Sequence, residues 1–451
     1  MINNEWKRYT SKVVFTFKNG RVYEATGENK IIQIDINKNT SKSDSYSPFG
    51  IICSNTILIK LKDIEEVFVK TNTSSPYYGL IEQGFKIEYY IKVDNGEYER
   101  GGIYYCTDIE NSSSSLRGDV INVEGADLLQ YISNSPVNLK IIKKNITVKE
   151  YLAYIFESFG LTEGQYHIAD TLNHNLKYGY SYGKQLKEIL NDIARSYICN
   201  IYVDENGIIQ VIDLKDLAKQ TEKQFEFSGT LNVFETTLGI KMLSSYNAIK
   251  LNYVNPTDIE NTKILSTSSL SILPGDSTLS EFTFGDEYRT LGIQSVSIKP
   301  EEDMEMSVNW FDASQDRITV NVNNPAEDFK KASVEVFGKT IVENKVTLDK
   351  NAINVDKDKR KYLEVETSLI QDDDYAKEYV SLLVNFIMAE TNYITVRCRV
   401  NPILKLGSIV SMRSDRLKFN STCILTGVKL SLGKTDTFQI ELLNCSALAV
   451  G

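Results

Sequence analysis

Apolar and polar residues alternate up to about residue 140, a period of two that predicts β-strands. The alternation is clearest at Ile32, Ile34 and Ile36, and again from 57 to 61. An Asn19-Gly20 turn between apolar runs predicts a hairpin, because both residues accept the positive φ angles of a tight turn. One apolar face per strand indicates an antiparallel barrel or sandwich.

The pattern changes to a helical period at Thr147. Thr147 and Glu150 have the spacing of a capping box, in which each side chain bonds the backbone of the other. Apolar residues then recur every three or four positions until Gly160, which is expected to end the helix. A second helix is predicted from about 183 to 197, followed by a hairpin over 199–212. Two helices and a hairpin can bury one small core, so an α+β domain is expected here.

Strand patterns return from Phe225 to about Ile370 and are interrupted by polar stretches. The acidic run 372–374 is expected to start a helix reaching about Glu390, since its charge offsets the positive end of the helix dipole. The apolar face of this helix is predicted to contain Tyr379, Leu383, Phe386 and Ile387. Alternation resumes at 394–400, and a last hairpin is predicted over 423–443.

The composition is that of a folded protein with more than one domain. The chain has 451 residues, of which 42% are hydrophobic and 24% are charged, and this length predicts two to four domains. Its 60 acidic and 50 basic residues give a net charge of −10. Such a balance disfavours specific nucleic-acid binding, which needs a positive face. The 26 tyrosines suit strands and surfaces that contact other proteins.

No targeting or membrane signal is visible in the sequence. The first residues lack the basic and apolar regions of a signal peptide, and no apolar window is long enough to span a membrane. The six cysteines are widely spaced and contain no C-x-x-C pair. They are therefore expected to be buried thiols in a chain made in a reducing cytoplasm.

Catalytic constellations are absent from the sequence. The two histidines, His167 and His174, are seven positions apart in a polar loop, which is not the spacing of a helical metal pair. No nucleophile elbow or phosphate loop occurs. The acidic clusters 301–303, 356–358 and 372–374 are interpreted as solvated turns and a helix end rather than a glycosidase pair. We therefore predict no enzyme, no catalytic or metal-binding residue and no cofactor.

Several stretches, taken in order, carry a family pattern over most of the chain except about 255–365. They are residues 55–63, Ser75-Pro76-Tyr77-Tyr78-Gly79, residues 84–87, residues 102–105, the helix–helix–hairpin module at 147–214 and Asn401-Pro402-Ile403-Leu404-Lys405-Leu406-Gly407-Ser408-Ile409-Val410. Together they resemble the phage baseplate-hub and tail-associated proteins, which form the tail-tip hub of phages and phage-tail-like bacteriocins. One departure is Ser408, where that family usually has Asp.

The resemblance implies a mainly β (α+β) fold with two hub-type antiparallel β-barrels, a small α+β middle domain and a β-rich insertion. In this chain the first barrel corresponds to residues 8–145 and the small α+β domain to 146–220. The second barrel corresponds to 225–255 together with 365–445. The β-rich insertion then covers 256–364.

The resemblance also implies a structural function. In the hub family, three subunits contribute two barrels each, and the resulting pseudo-sixfold ring joins a sixfold tail tube to a threefold spike. The implied partners are two further copies of the chain, the tail tube protein, a spike or tail-tip protein, baseplate wedge proteins and a tape-measure protein. The implied location is the tail tip or baseplate of a virion or tail-like particle assembled in the bacterial cytoplasm, without membrane insertion. An acidic channel wall that repels DNA is a further hypothesis.

Five aromatic residues are candidates for protein contacts, because aromatic side chains anchor interfaces. They are Trp6, Tyr77, Tyr78, Tyr104 and Tyr105. The alternative for each is a place in a hydrophobic core.

Two other functions remain open from the sequence. The chain could be a peripheral baseplate component or a receptor- or carbohydrate-binding tail component, since exposed Tyr and Asn residues on β-domains bind sugars by ring stacking. A tail-tip hydrolase is disfavoured by the missing catalytic constellation.

Overall fold

Strands make up most of the chain, which confirms the mainly β (α+β) fold with a few helices. The structure is a computed structural model. It describes residues 9–40, 49–63, 66–114, 118–137, 142–181, 184–213, 216, 225–228, 233–240, 246–283, 290–313, 317–351, 356–388, 392–398, 404–433 and 436–444.

The first barrel is one antiparallel sheet with the strand order β2-β1-β5-β6-β7-β4-β3. Its strands are β1 (Tyr9–Thr16), β2 (Val22–Thr26), β3 (Ile31–Asn39), β4 (Thr56–Lys62), β5 (Lys86–Val93), β6 (Glu99–Ser114) and β7 (Gly118–Ala126). The predicted alternation holds at Ile34 and Ile36, which are buried. It shifts at Ile32, because a bulge between Ile31 and Gln33 places Ile31 in the core instead.

The middle domain contains the predicted helices and hairpin around its own core. The elements around this core are α1 (Leu128–Ser133), β8 (Lys143–Thr147), α2 (Val148–Ser158), β9 (Tyr166–Ile168), β10 (Asn175–Gly179), α3 (Leu186–Tyr197), β11 (Cys199–Val203) and β12 (Ile209–Asp213). Of these, α1 and most of β8 lie before residue 146, where the family resemblance places the start of the domain. The capping box of α2 is present: the Thr147 N–H donates to the Glu150 carboxylate at 2.9 Å, and the Glu150 N–H donates to Thr147 Oγ1 at 3.2 Å. β9 adds to the hairpin as a parallel strand of β12.

A long arm leaves the body between the strands of the second barrel. Two strands of that barrel, β13 (Phe225–Ser228) and β14 (Val233–Ile240), precede it. The arm consists of β15 (Ala248–Ser266), β16 (Leu270–Ile272), β17 (Gly275–Thr283), β18 (Thr290–Pro300), β19 (Ser307–Ala313), β20 (Arg317–Asn324), β21 (Lys330–Asn351) and β22 (Tyr362–Glu366), with a 3-10 turn at Lys357–Lys359. β15 and β21 form a long antiparallel pair. A separate apolar core lies at the far end of this pair.

After the arm, helix α4 (Asp373–Met388) covers the base of β15 and β21, and four more strands complete the second barrel. They are β23 (Asn392–Cys398), β24 (Ile409–Ser414), β25 (Phe419–Leu432) and β26 (Thr437–Asn444). Tyr379 and Leu383 on α4 are buried as predicted. The side chains of Phe386 and Ile387 lie outside the described residues.

Strand pairing runs through the two boundaries suggested by the sequence at 255 and 365. β15 and β22 pair in parallel over 248–252 and 362–366. They pair because both present an apolar face to α4: Leu251 and Val365 share one core with Tyr379. The base of the arm is therefore held to the body by a common core.

Candidate assembly surfaces

The two barrels are joined into one sheet. The far half of β25 pairs with β3, antiparallel, from Gly427 opposite Asn39 to Leu432 opposite Ile34. The sheet therefore runs through the whole body in the order β14-β23-β26-β25-β3-β4-β7-β6-β5-β1-β2. We call the β25–β3 contact the barrel junction.

The barrel junction is apolar on one side and polar on the other. Leu430 and Ile36 face each other and are both buried. On the opposite side the Ser431 hydroxyl donates to the Asp35 carboxylate. Next to them the Thr40 N–H donates to the Thr426 carbonyl at 2.7 Å. This pairing has the properties of an ordinary internal sheet contact.

β14 is a free edge of the sheet with exposed apolar residues. Among the described strands it pairs only with β23. The side chains of Phe234 and Leu238 are 67% and 36% exposed, and Phe234 occupies a bulge between Val233 and Glu235. An unpaired edge with apolar side chains is a template for another strand.

The far half of β6 is a second free edge. β5 pairs with β6 only between Glu99 and Tyr105, whereas β7 pairs with β6 as far as Ser114. Beyond Cys106, one side of β6 has no strand partner in the described part of the chain. A second strand can add there.

The solvent-facing side of the joined sheet is polar and crosses the barrel junction without a break. Across β14, β23, β26, β25, β3, β4, β7 and the far half of β6, the cross-strand registers place six acidic and four basic residues on this side. They are Asp35, Lys60, Lys62, Asp108, Glu110, Glu124, Glu235, Arg397, Lys429 and Glu441. Lys429 and Glu441 form an ion pair at 2.8 Å.

Buried polar groups fix the middle domain against the first barrel. Asp127 caps α1, with its carboxylate accepting the Gln130 N–H at 2.9 Å and the Asn55 N–H at 2.6 Å. The Asn55 amide donates to the Val203 carbonyl at 2.8 Å. One carboxylate and one amide thus link the start of β4 with α1 and β11.

Burial shifts the pKa of two charged groups at this contact. It raises the pKa of the Asp127 carboxyl to about 7, against the lowering effects of its backbone hydrogen bonds and of Lys38. It lowers the pKa of the Lys38 ammonium to about 8, against the attraction of Glu205 and Asp204. The Lys38 Nζ donates to the Gly101 carbonyl. Glu205 pairs with Lys405 of the second barrel at 2.6 Å, so all three domains meet here.

The five aromatic interface candidates are in different environments. Trp6 lies outside the described residues. Tyr78 is 52% exposed, whereas Tyr104 is buried in the barrel core and so has no exposed surface. Tyr77 packs against the barrel core, and its hydroxyl donates to the Val22 carbonyl at 3.1 Å. Tyr105 stacks on Tyr131 with ring centroids 5.3 Å apart. Of the four tyrosines in the described ranges, Tyr104 therefore has its ring in the core, and a role of the others in protein contacts stays a prediction.

Sequence reasoning missed the two free edges. Their only signal in the sequence is that half of β14 is apolar, at Val233, Phe234, Leu238 and Ile240. The free part of β6 is polar and has no such signal.

The acidic clusters of the sequence make ordinary structural contacts. Asp372 caps α4 by accepting the Tyr375 N–H at 2.8 Å. Glu302 pairs with Lys330 at 2.8 Å and Asp356 with Lys359 at 3.1 Å. Within the described ranges, no three His, Cys, Asp or Glu side chains are grouped to hold a metal ion.

The histidines and cysteines also have structural surroundings. His174 lies over the Tyr375 ring, with centroids 4.1 Å apart, and His167 lies on β9. Five cysteines are buried thiols outside any disulfide bond: Cys53, Cys106, Cys199, Cys398 and Cys423. None of the described helices is long and apolar enough to cross a membrane.

The far end of the arm is acidic and partly apolar. Between residues 267 and 335 the sequence has 13 acidic and five basic residues, a net −8 of the chain's −10. Strand β19 pairs only with β20 among the described strands. Its Trp310 and Phe311 are 49% and 38% exposed.

Comparison with solved structures places the fold among phage tail proteins. The 43 kDa tail protein of prophage MuSo2 from Shewanella oneidensis is similar over 97% of this chain and 99% of its own, with a TM-score of 0.53 and 10% identity. A tail protein from Neisseria meningitidis MC58 is similar over 96% of both chains, with a TM-score of 0.51 and 11% identity. No protein-family model and no curated protein matches the sequence. The resemblance to baseplate-hub and tail-associated proteins is thus confirmed at the level of the fold.

Proposed function

We propose that this chain, which has the fold of phage tail proteins, is a structural hub protein of a phage tail or tail-like particle. Three copies form a pseudo-sixfold ring that joins the tail tube to the central spike and the baseplate. Its role is mechanical and needs no catalytic residue and no cofactor. Its place is the tail tip of the particle.

The observation that carries this proposal is the single sheet through both barrels. Each copy already contains one barrel-to-barrel contact, made by β25 and β3. In the described part of the chain, β14 and the far half of β6 each have one edge without a strand partner. A unit with two similar barrels and free edges can be repeated around an axis. Head-to-tail contacts close into a ring when the rotation closes. Three such copies present six barrels.

The polar side of the sheet fits the wall of a channel. On the strands from β14 to β7 and on the far half of β6 it carries charges of both signs with an acidic excess, such as Asp108, Glu110 and Glu235 against Arg397 and Lys429. A wall with such an acidic excess repels phosphate groups weakly. DNA or a tape-measure protein can then pass without binding.

The arm fits a contact with the periphery of the baseplate. β21 has 22 residues, which corresponds to a length of about 70 Å at the usual rise of a strand. Its acidic far end, with exposed Trp310 and Phe311, can reach proteins beyond the ring. We propose baseplate wedge proteins as its partners.

The same tip favours a second candidate function. Exposed aromatic side chains on an edge strand can stack on sugars or dock a receptor, as Trp310 and Phe311 could on β19. In that case the chain would be a peripheral baseplate or receptor-binding component, with the arm directed outward.

Electron cryomicroscopy of the intact particle distinguishes the two candidates. We expect three copies around the axis directly below the sixfold tube, with the polar side of the sheet facing the channel. Purified protein should also have a mass of three times the 51.1 kDa chain in light scattering. Six copies at the periphery, or no copy on the axis, would contradict the hub and support the receptor-binding candidate.

A further inference from the structure

The two barrels have the same arrangement of five strands. The order β3-β4-β7-β6-β5 in the first barrel corresponds to β14-β23-β26-β25-β24 in the second. All neighbouring pairs in both series are antiparallel. The next strand differs, because β1 is antiparallel to β5 whereas β13 is parallel to β24. The correspondence therefore covers five strands and equates β3 with β14 and β6 with β25.

Bulges at equivalent positions of the two barrels align the strands residue by residue. β3 is bulged between Ile31 and Gln33, and β14 between Val233 and Glu235. β6 is bulged between Cys106 and Asp108, and β25 between Leu425 and Gly427. Bulges mark fixed positions in a strand. Ile32 is therefore equivalent to Phe234, and Asp108 to Gly427.

Two equivalent glycine turns support the alignment. Gly84 and Gly407 both have positive φ angles, 88° and 80°. The Gly84 N–H donates to the Cys106 carbonyl and the Gly407 N–H to the Leu425 carbonyl, each at 2.8 Å. Residue by residue, the first barrel repeats the backbone of the second around β6 and β25.

One contact of this repeated unit is not made among the strands that the structure describes. In the second barrel β25 pairs with β3, which belongs to the next barrel of the ring. The equivalent strand in the first barrel is β6, whose far half is free on the same side. The strand equivalent to β3 is β14, which has β23 as its single partner among the described strands. Each half of the missing contact is therefore present on every copy, and the two halves are complementary.

We infer that β6 of one copy pairs with β14 of a second copy of this chain, in the register of the barrel junction. This inference rests on the proposed ring and specifies its subunit contact. Transfer of the β25–β3 register gives the expected cross-strand pairs, which are Glu110 with Gly239, Asn111 with Leu238 and Ser112 with Thr237.

The side chains at these positions allow the contact. Leu238 occupies the place of the buried Ile36 and would lose its exposure when covered by β6. The Glu110 carboxylate meets Gly239, so no like charges lie opposite each other. Ser112 and Thr237 occupy the places of Ser431 and Asp35, whose side chains touch across the barrel junction.

Cysteine cross-linking of the purified full chain tests the register. In the double variant Ser112→Cys, Thr237→Cys, the new thiols lie on one face of adjacent strands at a distance that a short bis-maleimide spans. We expect loss of the monomer band and formation of covalent trimers, because each copy is linked on both sides. Both native residues are exposed, so the folded state should tolerate the change.

A matched control shifts the register by one residue. In Ser112→Cys, Thr236→Cys the two thiols lie on opposite faces of the sheet, and we expect the protein to stay largely monomeric on the denaturing gel. Each single variant controls for the native cysteines, and peptide mass spectrometry should show the link between positions 112 and 237.

The outcomes separate this inference from the proposed function. Trimers in light scattering that do not cross-link through 112 and 237, or that cross-link equally in the shifted variant, would overturn the register and leave the hub proposal standing. A chain that is monomeric and not cross-linked would also overturn the subunit contact. The position of the copies in the particle would then decide the hub proposal independently.

Discussion

At the scale of single residues, Asp127 couples the stability of the fold to pH. Its carboxyl is buried, and burial raises its pKa to about 7 from an ordinary value of 3.8. Between these pH values the folded protein keeps a proton that the unfolded chain has released. The contribution of this proton to the free energy of unfolding is thus fully present below pH 3.8 and is lost as the pH rises through about 7.

We expect the free energy of unfolding to fall by about 1.4 kcal/mol per pH unit across this window because of Asp127 alone. In Asp127→Asn, which keeps a side-chain oxygen for the α1 cap, this slope should disappear. Urea unfolding at several pH values measures both slopes. Asp312→Asn, a change at an exposed residue of the arm, serves as the control and should keep the wild-type slope. Equal slopes in wild type and Asp127→Asn would contradict the assignment.

Sequence alone does not separate buried from exposed tyrosines in this protein. Tyr104 and Tyr105 are adjacent on one strand, so they point to opposite sides of the sheet. Which side is the core depends on the cross-strand neighbours. Tyr104 enters a space left by Gly102, where a Cβ would come within 2.7 Å of the ring. A pattern of residue types does not contain that information.

At the scale of elements, Gln371 acts as a strand neighbour for β10. Its side-chain oxygen accepts the Tyr178 N–H at 3.0 Å, and its side-chain nitrogen donates to the Tyr178 carbonyl at 2.9 Å. Both groups are buried. One amide thus links the middle domain to the segment that precedes α4.

We expect Gln371→Ala to lower the free energy of unfolding by about 2 kcal/mol or more, because it leaves two buried backbone groups without partners. Gln130→Ala on the exposed side of α1 is the matched control and should change stability by less than about 0.5 kcal/mol. Chemical unfolding measures the difference. Equal losses in the two variants would show that the amide bridge adds no stability.

Most elements with a local signal could be predicted from the sequence. The capping box at Thr147, the Asn19-Gly20 hairpin and the acidic start of α4 are all present because each depends on neighbours a few positions away. The exchange of Ile31 for Ile32 in the core could not be predicted. It results from a bulge, and a bulge depends on the partner strand rather than on the strand itself.

At the scale of the whole molecule, the base and the far end of the arm belong to two separate hydrophobic cores. Ile249 and Leu251 at its base share a core with α4. The core of the far end consists of other residues, such as Ile264, Val320 and Val334. The far end should therefore be removable without loss of the body.

We expect a chain in which an Asn-Gly turn replaces residues 260–339 to fold and to keep the oligomeric state of the full chain. Ile259 and Thr340 already face each other, so a two-residue turn can close the shortened hairpin. Thermal unfolding and light scattering check both points. A deeper excision that also removes 248–259 and 340–351 would uncover the apolar side of α4 and should give an unstable or aggregated protein. Failure of the shorter excision alone would mean that the far end supports the body.

The architecture could be predicted only through the family resemblance. β3 and β25 pair across nearly the whole chain, and no local pattern encodes which distant strands meet. The sequence predicts a β-rich insertion but not its shape as a long arm, because its strands alternate like those of any sheet. The free edges could not be predicted either, because the sequence of a strand does not show whether a neighbouring strand pairs with it.

The barrel junction joins two strands that the ribosome makes at very different times. Asp35 and its partner Ser431 are 396 positions apart, so β3 leaves the ribosome long before β25 exists. At usual rates of translation the interval is about 20 to 80 s. During that time one edge of β3 is open to other nascent chains. The charged and amide side chains of Asp35, Asn37 and Lys38 on that strand disfavour such pairing. These residues therefore lower the tendency of the unfinished chain to aggregate during translation.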